Sequence, residues 1–186
     1  MNLPENEIER LKTLRRYEIL DTPPDGTFDR ITSLASKIFN MPIVLISLVD
    51  EDRIWFKSHH GLETDTIGRD PGLCASAILE DDIYLIENAR EDPRSLANPL
   101  VVGNFGLRFY AAAQLKTSDG YNLGTFCIID KLQRFLNSDQ TNMLQDLAQI
   151  VMDEMELRLA SRNTIRTCND RIGELEKHNL KLMSKQ

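Results

Sequence analysis

Three cysteines, three histidines and one acidic run are the residues whose types could carry chemistry in this chain. Cys74, Cys127 and Cys168 are odd in number and widely spaced, with no Cys-x-x-Cys pair. No disulfide framework is expected from them, and a reducing cytoplasm is the expected location. His59 and His60 are adjacent and His178 is remote, so no zinc-ligand spacing occurs. Neighbours on a strand point to opposite faces, which makes one ion shared by His59 and His60 awkward. Asp50-Glu51-Asp52 could act as metal ligands or as an acid–base cluster. On a tight turn, three carboxylates more often sit in solvent.

The elements that must position these groups are readable from periodicity. Phe109 to Asp130 runs FYAAAQL, KTSDGYN, LGTFCIID. Two apolar runs around Asp119-Gly120 predict a hairpin, with Cys127 inside its second strand. Ala111 to Ala113 leave room above the sheet for a helix or a small ligand. Ile43 to Val49 predicts a central strand, Arg53 to His59 the next, and Ile83 to Ile86 a short one. Residues 60–71 read as loop, 73–79 as a short helix, and 88–104 as irregular with one helical turn near Arg94 to Ala97. Trp55 is expected to pack under the N-terminal helix.

Three longer helical stretches frame these strands. Residues 5–20 place Ile8, Leu11 and Leu14 on one stripe, ended by Thr22-Pro23-Pro24-Asp25-Gly26. A helix from Thr27 to Phe39, with Thr27 as its cap, is expected to bury Phe28, Ile31, Leu34, Ala35 and Ile38. The last helix opens at Asn137 to Gln140 with Ser138 as its cap, and it is broadly apolar through Leu144, Leu147, Ala148, Val151, Met152, Met155 and Leu159. Farther on, Ile165, Cys168, Ile172, Leu175, Asn179 and Leu182 alternate by three and four, a coiled-coil seam. The frame runs back through Val151, interrupted at Glu154, Arg158 and Ser161, and Gly173 weakens it by ~1 kcal/mol. A parallel homodimer is the expected outcome, with Leu11, Leu14 and Val151 joining the seam residues. The interruption is the expected two-state point of the coil.

The totals bound the function. The chain has 186 residues, 41% of them hydrophobic, and a net charge of −7 from 29 acids and 22 bases. An acidic balance argues against nucleic acid as the main partner. No apolar run approaches the ~18 residues of a membrane span. The N-terminus MNLPENEIER is too polar for a secretory signal.

Several stretches carry a likeness. RRYEILDTPPDGTFDRITSLASKIFNMPIVLISLVDEDRIWFKS, GRDPGLCASAIL, DPRSLANPLV, LRFYAAAQLKTSDGYNLGTFCIID and QTNMLQDLAQIVMDEMELRL, spanning residues 14–159, resemble a GAF domain of the bacterial signalling subgroup. The resemblance implies an α+β fold, a central antiparallel sheet of five or six strands with helices on both faces, and a C-terminal helix continuing as a coiled coil. It implies a ligand pocket between the sheet and segments 60–80 and 90–108. Residues 1–22 are read as a dimerising helix and turn, 23–160 as the GAF domain, and 161–186 as the signalling coil.

The expected function is a sensory module that binds a small molecule or partner and relays its state through the helical dimer. The alternatives are a small thiol-dependent redox enzyme of the same fold and a purely structural dimerisation domain. No catalytic motif is recognised, so the chain is expected not to be an enzyme. A seam ending at Gln186 in mid-heptad points to a piece of a longer protein with a kinase or cyclase module downstream.

Bilin-binding relatives attach a chromophore through a cysteine often followed by histidine, and Cys74 is followed by Ala75 and Ser76. A bilin is therefore not expected, and the cofactor stays unassigned. Relatives that reduce free methionine sulfoxide need several cysteines around one pocket; Cys74 and Cys127 could meet, but Cys168 lies on the coil. The cyclic-nucleotide signature of the family is missing. The residues expected to line a pocket are Cys74, Ser76, Arg108, Tyr110 and Thr125.

Overall fold

The computed structural model describes residues 3–183. Its strands are β1 (Ile43–Val49), β2 (Arg53–His60), β3 (Thr66–Gly68), β4 (Tyr84–Ile86), β5 (Phe109–Lys116) and β6 (Asn122–Asp130). They form one antiparallel sheet in the order β3-β2-β1-β6-β5-β4. Its helices are α1 (Glu7–Arg16), α2 (Gly26–Phe39), α3 (Leu73–Ala77), α4 (Pro99–Val102) and α5 (Ser138–Met183). The two-residue alternation of the strands divides the core into two layers. Val44, Ile46, Leu48, Ala111, Phe126 and Ile128 face α1, α2 and α5. Leu45, Tyr110, Ala112, Cys127 and Ile129 face α3 and the loops.

The N-terminal helix is shorter than its periodicity predicts. The chain turns after Arg16, with Glu18 and Asp21 in left-handed backbone, so Tyr17 and Ile19 drop into the core. Leu11 and Leu14 go with them, beside Trp55. Val151 of α5 is likewise fully buried, against the sheet. These three residues, expected at a dimer interface, are corrected to the chain's own core, because the helix faces that carry them are needed to cover the sheet.

The buried face of α2 is rotated from the expected one. Phe28, Thr32, Ala35 and Phe39 are buried, whereas Leu34 and Ile38 are exposed. Polarity misleads here: Thr32 is buried because its hydroxyl is 2.9 Å from Ser58 Oγ. The caps also differ from expectation. Asp25, not Thr27, caps α2 and accepts from the Thr27 amide at 2.9 Å. Asn137, not Ser138, caps α5, and its side chain exchanges reciprocal hydrogen bonds with Gln140 in a capping box.

Residues 66–68, expected as loop, form the edge strand β3, and the helical segment of the 88–104 stretch falls at α4 after turns over 93–97. In β2 the register shifts so that Ile46 pairs with Ser58 and Ser47 with Phe56. Lys57 is the bulged residue. Its side chain lies on the helix layer with Trp55, where its ammonium donates to Thr22 Oγ1 and the Pro23 carbonyl, each at 2.8 Å, and the bulge brings the next residue, Ser58, to the same layer beside Thr32.

Candidate functional site

α3 lies on the loop side of the sheet and packs on β1, β5 and β6. Its register places Cys74 downward, toward the strands, and Ser76 outward. Beneath it, β6 brings Cys127 between Leu45 of β1 and Ala112 of β5. Tyr110 reaches up from β5, and its hydroxyl donates to Cys74 Sγ at 3.3 Å. Ser47 Oγ and Thr125 Oγ1 are 2.8 Å apart in the same layer. Cys74, Tyr110, Thr125 and Cys127 are all buried, so they form a packed polar knot rather than the walls of an open pocket. The neighbouring Cys127 and the polar groups around it, with the Tyr110 hydroxyl bonded directly, hold the Cys74 thiol below the ordinary thiol range. Burial pushes Cys127 and Tyr110 up, and the neighbouring Cys74 adds to both.

The open space lies above this knot. A cleft of about 510 Å³ runs between α3 and residues 93–99, with Ser76, Glu80, Tyr84, Arg94 and Asn98 among its walls. Asp92 and the Leu85 carbonyl hold Arg94, whose guanidinium lies 4.6 Å from the centre of the Tyr84 ring. Tyr84 in turn meets Tyr110 edge to face at 6.0 Å. A second cleft of about 440 Å³ lies on the other layer over β2, with Asp21, Asp29, Trp55, Lys57 and His59 in its walls. Lys57 at its base already donates to Thr22 and Pro23.

Of the five residues expected to line a pocket, Ser76 alone opens onto the α3 cleft. Cys74, Tyr110 and Thr125 lie under its floor. Arg108 is drawn away to the Val101 and Leu107 carbonyls, at 3.0 and 2.7 Å. Sequence reasoning missed Tyr84, Arg94 and Asn98. Asn98-Pro99 carried a readable signal, a capping residue followed by proline at the first helical position, and Asn98 does cap α4. Arg94 carried none, because a loop fold brings it to Tyr84.

A second constellation ties the N-terminal turn to α5. Tyr17 Oη donates to Glu156 at 2.6 Å, Arg158 to Asp25 at 2.5 Å, and Arg166 to Glu18 at 2.6 Å. Arg162 donates to the Tyr17 carbonyl. Arg158 also holds Glu154 at 2.7 Å. Glu154 and Arg158 interrupt the expected seam because they serve this intrachain latch, so the reading of the interruption as a loosened point of a dimer coil is corrected. Beyond the latch, Ile165, Cys168, Ile172, Leu175 and Asn179 are exposed; the side chain of Leu182 lies outside the described residues. Among the described residues no helix is long and apolar enough to cross a membrane.

Residues 23–155 match the profile of the GAF domain family. Over 150 residues the chain is 37% identical to a cyclic di-GMP phosphodiesterase of Pseudomonas aeruginosa, an alignment covering 80% of this chain and 26% of that protein. The chain therefore spans about a quarter of the relative's length. The expectation that the chain is not an enzyme is corrected by this match, since the relative bears an enzyme's name. Similar solved structures include the free methionine-R-sulfoxide reductase of Neisseria meningitidis in complex with its substrate, at TM-score 0.60 and 16% identity, covering 87% of this chain and 96% of that one. The GAF domain of the Acinetobacter phosphoenolpyruvate-protein phosphotransferase superposes at TM-score 0.58 and 13% identity, covering 88% and 98%. At such identities the likeness is one of fold. The family profile and the 37% identical relative together give the conclusion that the chain belongs to the GAF domain family and sits in a bacterial signalling context.

Proposed function

We propose that this GAF domain is the input module of a signalling protein, regulating an attached enzyme of cyclic-dinucleotide turnover like the one its Pseudomonas relative is named for. A small polar molecule enters the α3 cleft, where Ser76, Tyr84 and Asn98 offer hydrogen bonds and Arg94 a fixed charge. The state of the domain passes to α5, and two α5 helices join along Ile165, Cys168, Ile172 and Leu175 in a cytoplasmic homodimer.

The observation that carries this reading is the change in α5 along its length. Its first half is buried by the sheet, while Ile165, Ile172 and Leu175 stay more than half exposed. A solvent helix of that length is marginal alone and gains stability from an apolar partner face. The latch from Tyr17, Glu18 and Asp25 to α5 sits at the junction of the two halves, where a shift of the domain would be felt. Such a shift qualifies as allosteric only if the ligand binds two states with different affinity.

Native mass spectrometry of the purified chain, set against denaturing spectra of the same sample, tests it. The expected result is a dimer carrying a mass that is lost on denaturation. A monomer at all concentrations overturns the relay. A bare dimer that takes up nothing from a metabolite extract overturns the ligand and favours a structural role, for which the filled layer under α3 already speaks.

A further inference from the structure

The two thiols beneath α3 have no part in the relay, yet the fold has brought them together from positions 53 residues apart in sequence, 127 minus 74. Cys127 occupies the centre of the sheet, flanked by Leu45 and by the small Ala112. α3 packs on the same three strands and sets Cys74 in the same buried layer as Cys127, where each thiol perturbs the other. Around them the layer is apolar, except for Tyr110, whose hydroxyl donates to Cys74, and for Ser47 and Thr125, whose hydroxyls pair with each other. Both cysteines are free.

We propose that Cys74 and Cys127 are a modification site: a peroxide-responsive pair that closes to a reversible disulfide between α3 and β6. Cys74 is the attacking sulfur. It accepts from the Tyr110 hydroxyl, and a donor of that kind favours the thiolate. Cys127 is the resolving thiol, kept protonated by burial beside Cys74.

The Cys74 thiolate attacks one oxygen of a hydroperoxide. The O–O bond breaks, the remaining oxygen leaves with a proton as water or an alcohol, and Cys74 becomes a sulfenic acid. The Cys127 sulfur then attacks the Cys74 sulfur. The S–O bond breaks, and the hydroxyl departs with the Cys127 proton as water. In sum, two thiols and one hydroperoxide give one disulfide, one water and one further water or alcohol. A dithiol reductant returns the two electrons and two protons. A small oxidant fits the setting, because only the five-residue α3 separates Cys74 from the cleft above. The disulfide pins α3 to the sheet and fixes the floor of that cleft.

The exposed Cys168 would confuse the readout, so the test uses the Cys168→Ser chain. The folded protein is treated with excess hydrogen peroxide, quenched, unfolded and alkylated. The expected result is an intact mass two hydrogens lower, loss of both alkylation sites, and a proteolytic fragment joining the Cys74 and Cys127 peptides, all reversed by dithiothreitol. In a further Cys127→Ala change, dimedone should label Cys74 after peroxide. Two thiols still alkylated after treatment overturn the proposal. So does overoxidised Cys74 beside a free Cys127. The readout contains no ligand and no dimer, so its failure leaves the reading of the chain as an input module standing.

Discussion

One oxygen of the Asp25 carboxylate accepts from the Thr27 amide at 2.9 Å and the other from Arg158 of α5 at 2.5 Å. The hydrogen bond and charge of Arg158 hold this carboxyl far below its ordinary range. A depressed carboxylate contributes stability that is full above its unfolded pKa, ~4, and is lost as pH falls toward the folded value. Asp25→Asn keeps a competent cap but removes the ion pair; Asp25→Ala removes both. Thermal unfolding at pH 7 should place the Asn variant within about 1 kcal/mol of the parent and the Ala variant about 1 kcal/mol lower still. Between pH 5 and 2 the parent should lose more stability than Asp25→Asn; parallel pH profiles would sink the assignment. Sequence pattern led to Thr27 because both residues are capable caps two positions apart. What selects Asp25 is Arg158, 133 residues away, and no local pattern carries that.

At the scale of the element, strands were more legible than helix faces. β1 and β6 read clearly because a strand buried on both sides is a continuous apolar run, and burial is complete along β1. The buried face of α2 was misread because it contains Thr32, and the α3 cleft was missed because loops assemble it. Glycines mark where backbones come close. A Cβ on Gly124 of β6 would lie 1.9 Å from the Ser47 carbonyl oxygen and 2.8 Å from Leu48 Cα on β1. Gly124→Ala should therefore force apart two central strands and cost about 3 kcal/mol, toward the upper end of overpacking changes. Gly173 of α5 has nothing within 4 Å of such a Cβ. Gly173→Ala should instead stabilise the helix by up to ~1 kcal/mol. Denaturation of the pair, with helicity by circular dichroism, decides the matter. A well-tolerated alanine at 124 would contradict the close approach of β6 to β1.

Across the whole molecule, α5 belongs to two environments, and its seam follows from that division. Leu144, Leu147 and Val151 turn inward under the sheet, so the expected backward run of the heptad frame is taken up by the chain's own core. The outward apolar residues of the same stretch are Met143, Ile150 and Leu157, spaced by seven. Ser161 stands four residues from both Leu157 and Ile165, which shifts the outward stripe into the frame of Ile165, Cys168, Ile172 and Leu175. A four-residue insertion of this kind locally unwinds a coiled coil. In a parallel, in-register dimer the two Cys168 side chains face each other across the seam. Mild oxidation of the dilute native chain should then yield a disulfide-linked dimer through Cys168. The double change Ile172→Asn and Leu175→Asn should abolish it without lowering the stability of the domain, because both residues are exposed in the monomer. Val151→Ala should do the reverse, weakening the fold by about 2 kcal/mol and leaving the cross-link intact. A chain that sediments as a dimer yet never cross-links at Cys168 would require an antiparallel or displaced pairing. Any change of state in the GAF domain would then have to leave it by a route other than the axis of α5.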